Sequence, residues 1–520
     1  MSEWISSSVA AGKVVSVHGA SIKGETRAAE SFSVGSYISI PINDTKIIGM
    51  VTSLELVSPE GSDTDKSSVY FLANLFGKST NGKFERGTEE LPWPGAPIEI
   101  PSEAELDVIF NTYRRHNFAL GEISLLKEKK NFIDPDKFFS RHVAIVGATG
   151  SGKSCVVASI LQKVAKLPGA RIILLDLHDE YGEAFGDLAE RVNIGEFELP
   201  YWAMNFDELA ETFVDPDDPY ARTETVAMSE IVLNGKRGKN PAYKDFITVD
   251  SPVYFDLADI KVKMQALDTE RLPNGKEGPF YGNFTRFLFK YDTRYNDKRY
   301  DFLFKLKRFK NTDTFSQFLE LLFGLKSGKS IAVLNLNIVP QEVINALVSL
   351  LARLVFDFNV WNPYRANLPI LLVLEEAHNY LNTRSSSQTA RRTIERLVKE
   401  GRKYGLSCMI VSQRPMDVAE SILSQCSNFV VMRLSNPDDQ SYVAKLIPES
   451  MADVLDIIPA LKQGEGLLLG DACILPLRTK IDAPDPLPRS KDVEFFTKWS
   501  ILPPAVDVEG VVERWRKVNY

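Results

Sequence analysis

The chain has 520 residues, 44% of them hydrophobic and 25% charged, and a net charge of −8. That size and apolar content specify a globular protein of two to four domains with ample core. The acidic balance excludes a generally basic nucleic-acid coat, although a local basic channel stays open to it because the local field is what acts on a ligand. Four cysteines (Cys155, Cys408, Cys426, Cys473) show no C-x-x-C pairing and five histidines show no metal spacing, so the thiols read as reduced, in a reducing compartment. Met1-Ser-Glu-Trp4 lacks the regions of a signal peptide, and no apolar run approaches ~18 residues. The expectation is a cytoplasmic protein with no membrane partner.

In chain order, residues 12–19, 31–40, 46–51 and 68–72 are short, β-branched or aromatic runs separated by Gly, Asn, Asp and Pro, which predicts a small β-barrel over residues 1–110. Pro92-Trp-Pro-Gly-Ala-Pro97 reads as a rigid boundary. From about Asn111 strands alternate with helices, the mark of a parallel α/β sheet. Its strands are expected at 143–146, 171–176, 331–336, 370–374, 408–411 and 429–433, with helices at 342–358 and 389–403. Residues 206–326, rich in charge and aromatics and holding helices near 208–213 and 315–323, read as a helical insertion. It splits the core into a first part, 111–205, and a second, 327–480. Residues 481–520, with Pro484, Pro486, Pro488, Pro503 and Pro504, form an extended tail ending in a helix near 508–518.

Val143-Ala-Ile-Val146 runs directly into Gly147-Ala148-Thr149-Gly150-Ser151-Gly152-Lys153-Ser154-Cys155. This is G-x-x-x-x-G-K-[ST] in its proper setting, a buried-strand candidate before it and a helix after. Glycines let main-chain N–H groups close around phosphates, and the helix adds the positive end of its dipole. Lys153 is expected to reach the β- and γ-oxygens of ATP, and Ser154 to give its hydroxyl to Mg²⁺.

Ile370-Leu-Leu-Val-Leu-Glu375-Glu376-Ala-His378 is an apolar run ending in two carboxylates, as a strand that delivers charge to a nucleotide crevice requires. Glu375 is assigned to the Mg²⁺ shell and Glu376 to activating the attacking water. Gln413, in Ile410-Val-Ser412-Gln413-Arg414-Pro415, ends another apolar strand and is placed to sense the γ-phosphate or the water; a turn opener before Pro415 is the plainer alternative. Asp176-Leu-His178-Asp-Glu180-Tyr181 points to the same crevice, as coupling residues or as a helix cap.

Together with Leu199-Pro-Tyr-Trp-Ala-Met-Asn205 and Glu400-Gly-Arg-Lys-Tyr-Gly405, these motifs resemble the HerA branch of the FtsK/HerA motor ATPases over nearly the whole chain. The barrel, with Gly35 and Gly49-Met-Val51, looks like that family's HAS-barrel. The resemblance implies a RecA-like P-loop core, a homo-hexameric ring around double-stranded DNA, and ATP sites between protomers. It also implies a working partner: a NurA-like nuclease in end processing, or a nuclease or sirtuin-type effector in antiphage defence. Two departures stand out. Glu375 takes the place of the Asp found in many other P-loop motors, and Leu177 and Asp179 stand where Pro and Gly are expected.

A ring of this type needs an arginine from the neighbouring protomer to neutralise transition-state charge. The resemblance points first to Arg402, then to Arg141. For DNA, the candidates are Arg384, Arg391 and Arg392 after the acidic strand, Lys236-Arg237-Gly-Lys239 as a loop of the insertion, and Lys305, Lys307, Arg308 and Lys310 with Phe302, Phe304 and Phe309 interleaved. A DNA translocase is the leading reading; an ATP-gated hexameric scaffold that activates an effector without processive movement is the alternative. A small-molecule kinase fits poorly, since no lid or acceptor motif is present.

Overall fold

The computed structural model describes residues 11–26, 32–57, 68–124, 126, 128–194, 197–384, 388–447, 449–489, 494–502 and 506–517. The expectations that touch Met1–Trp4, Ser31, Ser385–Ser387, Pro503, Pro504 and Val518 lie outside the described residues. The chain folds into two compact units, one made of Met1–Ile160 with Cys408–Ala483, the other of Leu161–Ser407 with Pro484–Tyr520. The strands, in chain order, begin with β1 (Gly12–His18), β2 (Ser21–Thr26), β3 (Tyr37–Ile42), β4 (Thr45–Val57), β5 (Ser68–Thr80), β6 (Lys83–Arg86) and β7 (Pro97–Ile98). They continue with β8 (Ala119–Ile123), β9 (Lys130–Phe132), β10 (Val143–Val146), β11 (Ile172–Asp176), β12 (Ala189–Asn193), β13 (Ile331–Asn335) and β14 (Ile370–Leu374). The last four are β15 (Leu406–Ser412), β16 (Asn428–Met432), β17 (Glu465–Gly470) and β18 (Leu477–Ile481).

In the first unit, β1–β7 form one sheet in the order β3-β4-β5-β2-β1-β7, with β6 added to β5. The sheet closes on itself where Ser39 N donates to Glu99 O (2.9 Å) and Glu99 N returns a bond to Ser39 O (2.8 Å). The expected barrel is there, but β4 and β5 are not short. Each runs 13 residues, and irregular pairing at Ile48/Gly49 and Val51/Ser53 bends them around a core of Val14, Ile22, Ile38, Ile40, Ile47 and Phe71. Residues 92–97 lead into β7, which pairs with β1, and so belong to the barrel.

The other sheet of this unit runs β15-β10-β16-β17-β18-β8-β9. β10 lies parallel between β15 and β16, and all four of its residues are buried, as a strand covered on both faces demands. From β16 outward the pairing is antiparallel. The expected parallel strands are there, and this antiparallel extension, β17, β18, β8 and β9, adds to them. β18 alternates buried and more exposed positions, and β8 carries Gly121 and Glu122; neither has the continuous apolar run that marked the central strands.

The second unit holds a parallel sheet, β12-β13-β11-β14, and helices that include Phe206–Phe213, Ala221–Lys239, Ala258–Asp268, Thr285–Asn296 and Phe315–Leu322. The aromatics of this stretch make its core: Phe213 stacks on Tyr291 and Phe304 at 5.0 and 5.3 Å. Helix Ile344–Trp361 belongs to the 21-residue segment Gln341–Trp361, which contains an 18-residue window of mean hydropathy 1.7, apolar enough by composition to cross a membrane. The expectation that no such run exists was too strict. Of that window 72% is buried within the protein, and it carries Arg353.

Arg353 makes the most buried ion pair described in this unit. Its Nη2 lies 2.8 Å from Glu208 Oε2, with Glu208 wholly buried, and also donates to Ala203 O, while Ser349 Oγ donates to Glu208 Oε1. Glu208 doubles as the N3 residue of a capping box opened by Asn205. Removing one partner strands a buried charge, so Arg353→Ala should destabilise this unit by about 3–5 kcal/mol. Scanning calorimetry would register it as a lowered melting temperature; an unshifted melt would mean that Glu208 finds another cation.

Candidate functional site

The phosphate loop grows out of three parallel strands. Gly147 N donates to Ser412 O at the end of β15 (3.3 Å), and Ala148 N to Arg433 O just past β16 (2.8 Å). Inside the loop Ser151 N donates to Ala148 O, and Gly464 N, in the turn before β17, donates to Ser151 O (3.0 Å). The glycines have definite tasks. A Cβ at Gly147 would come within 2.7 Å of Met432 Cβ, and Gly150 and Gly152 have φ of 73° and 98°, which side chains rarely adopt. Helix Lys153–Ala165 starts directly after, so its first N–H groups and dipole open onto the loop. Lys153 is buried, while Thr149 and Gly150 are exposed at the crest. Thr149 Oγ1 donates to Gln413 Oε1, which brings the expected sensor to the loop.

The acidic pair stands at the end of β14, with Glu375 and Glu376 only 1% and 3% exposed. Tyr181 Oη donates to Glu375 Oε1 (2.9 Å) and Tyr380 Oη to Glu375 O (2.9 Å). Glu376 is left-handed (φ 47°, ψ 46°), a conformation that costs a non-glycine residue roughly 1–3 kcal/mol. Such strain persists only where the surroundings impose it. His378 Nδ1 lies 3.2 Å from Glu376 Oε2.

Asp176 to Tyr181 is a turn and caps no helix. The buried Asp176 carboxylate accepts from the N–H groups of His178, Glu180 and Tyr181 at 3.3, 3.2 and 3.0 Å. Burial pushes its pKa up, with those three donors pulling the other way. Burial first, and then the charge of Glu375, pushes the Tyr181 phenol well above its ordinary value, so it stays a donor. Asp179 has φ 59°, which accounts for the departure noted there: the position wants Gly, and Asp tolerates it. Asp179 also pairs with Arg191 and accepts from Asn335 Nδ2 (3.0 Å). From the tail, Arg489 N donates to Glu180 O (2.7 Å), while Gln162 receives Asp485 N (2.9 Å) and donates to Pro486 O (2.9 Å).

Residues 119–355 match the family model described as the central domain of helicase HerA. The DNA double-strand break repair helicase HerA of Sulfolobus acidocaldarius is 26% identical over 94% of this chain and 96% of its own length. Its counterpart from Sulfurisphaera tokodaii is 26% identical over 92% and 94%. Residues 119–355 thus match the central domain of the HerA helicases, and nearly the whole chain is similar to them. Among solved structures, VirB4 of Thermoanaerobacter pseudethanolicus is similar with a TM-score of 0.49 at 16% identity, covering 70% of this chain and 96% of that one. Plasmid coupling protein TrwB in complex with ADP and Mg²⁺ gives 0.47 at 14%, covering 72% and 92%.

The protein is a P-loop ATPase, and its remaining candidate residues fall as follows. Arg402 is exposed in the turn Gly401–Tyr404. Arg141 is exposed and ion-paired with Asp471. Arg391 and Arg392 lie on helix Thr389–Glu400, where Arg391 Nη2 donates to Gln388 Oε1 (2.9 Å); Arg384 precedes it, with its N–H on Asn382 Oδ1 (2.8 Å). Lys236, Arg237 and Lys239 require correction. They end helix Ala221–Lys239 and form no loop. Lys236 is 1% exposed and its Nζ donates to Val249 O and Ser251 O at 2.6 and 2.7 Å. Burial pulls its pKa down to about 7, and it has no reach to a DNA phosphate. Phe302, Phe304 and Phe309 are buried core and present no stacking surface between the nearby lysines.

Two contributors had no assigned role. Gly464 touches the phosphate loop, and its only advance signal was its place in Lys462-Gln-Gly-Glu465. Tyr181 was visible within its motif, yet nothing in the chain's pattern tied it to Glu375, 194 residues away.

Proposed function

We propose that the protein is a ring-forming, ATP-driven translocase of double-stranded DNA. The reading rests above all on a phosphate loop with its glycine geometry and buried Lys153 in a chain that also carries a buried acidic pair at a strand end. The curated relatives' names add DNA: they are called DNA double-strand break repair helicases. The loop is assigned to the nucleoside triphosphate, and the acids to its metal and to the attacking water. The donor set suits ATP with Mg²⁺, since closely spaced N–H groups and an ammonium meet phosphate oxygens, and a hydroxyl (Ser154) and a carboxylate (Glu375) suit a hard cation. The metal, when bound, neutralises charge on the phosphates. Gly147 to Cys155 cradle the phosphates, and Lys153 supplies positive charge at the β/γ oxygens. Glu376 takes the proton of the attacking water, with His378 beside its carboxylate, and Gln413, held by Thr149, orients that water.

Arg402 and, second, Arg141 serve the neighbouring protomer's γ-phosphate in a homo-hexamer. Arg384, Arg391 and Arg392 grip DNA phosphates by charge, without reading bases. A NurA-like nuclease or a sirtuin-type effector is the working partner, in DNA end processing or antiphage defence.

The test is turnover with and without DNA. Linear duplex should raise the ATPase rate of the purified protein by roughly tenfold, equivalent to about 1.4 kcal/mol of barrier, and added salt should weaken the stimulation. Turnover indifferent to DNA, together with a stable nuclease complex, would replace the motor by an ATP-gated scaffold.

A further inference from the structure

Tyr181 is fully buried, and its ring lies parallel to that of Phe185 with centroids 6.1 Å apart. It hangs from a turn restrained on every side. Asp176 gathers three N–H groups at the base, Asp179 is fixed at the bend by Arg191 and Asn335, and Arg489 N closes on Glu180 O from the tail. A turn held this firmly delivers one hydroxyl to one carboxylate oxygen, Glu375 Oε1 at 2.9 Å. Tyr380 Oη donates to the main-chain oxygen of Glu375 and so steers the backbone there.

We propose that Tyr181 is a positioning residue for Glu375, fixing the orientation in which that carboxylate serves the divalent metal of the nucleotide site. This rests on the role proposed for Glu375 above. Filling the space needs only the ring, and phenylalanine would supply that. The hydroxyl adds restraint on a side chain with three rotatable bonds, whose freedom would otherwise be lost on metal binding. Groups that hold metal-binding carboxylates from behind commonly change metal affinity 10–100-fold. The turn from Asp176 to Tyr181, and through Arg489 the segment after Pro484, thereby support the metal side of the site.

The experiment titrates Mg²⁺ into the full-length protein with a fluorescent, non-hydrolysable ATP analogue and reads nucleotide binding. Tyr181→Phe should raise the Mg²⁺ midpoint by about tenfold while leaving binding in EDTA and the thermal melt near wild type. Arg489→Pro deletes the amide that holds Glu180 without touching the buried ring, and should shift the midpoint the same way by a smaller factor. In a Glu375→Gln background, Tyr181→Phe should add nothing. Unchanged midpoints in both folded variants, or an equal loss of binding in EDTA, would overturn the proposal. If Lys153→Ala bound the analogue as tightly as wild type, the nucleotide reading itself would fall and carry this proposal with it.

Discussion

Lys153→Ala is expected to lower ATP turnover by about 10³-fold or more and to remove most nucleotide affinity. Removing one preorganised donor from a catalytic anion site commonly costs 10²–10³ in rate, and Lys153 is a full charge that is only 6% exposed, at the first residue of the helix that follows the loop. Water cannot readily replace an ammonium held there, so the γ-phosphoryl charge would develop uncompensated. Phosphate-release kinetics and a fluorescent-nucleotide titration of the same preparation would measure both effects. Normal hydrolysis by a folded variant would remove the loop from the chemistry.

Glu376→Gln should separate binding from chemistry. The amide matches the acid in shape, so nucleotide binding is expected to persist. An amide cannot accept the water's proton, so turnover should fall by about 10²–10⁴-fold, the range for losing a general base. A stalled, ATP-loaded protein is the expected product, visible as unhydrolysed nucleotide retained through gel filtration. Loss of binding instead would make Glu376 a structural residue, and near-normal turnover would give proton transfer to another group.

The central strands could be read beforehand because burial on both faces imposes an uninterrupted apolar run, as in Val143–Val146 and Ile370–Leu374. The phosphate loop could be read because its geometry admits few residues: Gly147, Gly150 and Gly152 each answer a contact or a dihedral angle. Ala189–Asn193 and Leu477–Ile481 could not, since their mixed composition also suits a loop, and in Glu465–Gly470 the apolar run is only three leucines between glycines. Lys236 misled for a related reason. A lysine beside Arg237 and Gly238 resembles a basic loop until the helix rotates it inward onto Val249 O and Ser251 O. Distant pairings such as Tyr181 with Glu375 depend on how two turns end up facing each other, which composition and periodicity do not encode.

At residue 376 folding and chemistry ask for different amino acids. With φ at 47°, glycine would relax the main chain, asparagine or aspartate would sit there readily, and valine, isoleucine and threonine would be the worst fits. Selection for stability alone should therefore drift this codon towards glycine, which adopts that conformation without strain. Under the role proposed for Glu376, turnover is what keeps a long acid there, and a redesigned sequence chosen for heat resistance is apt to lose it first.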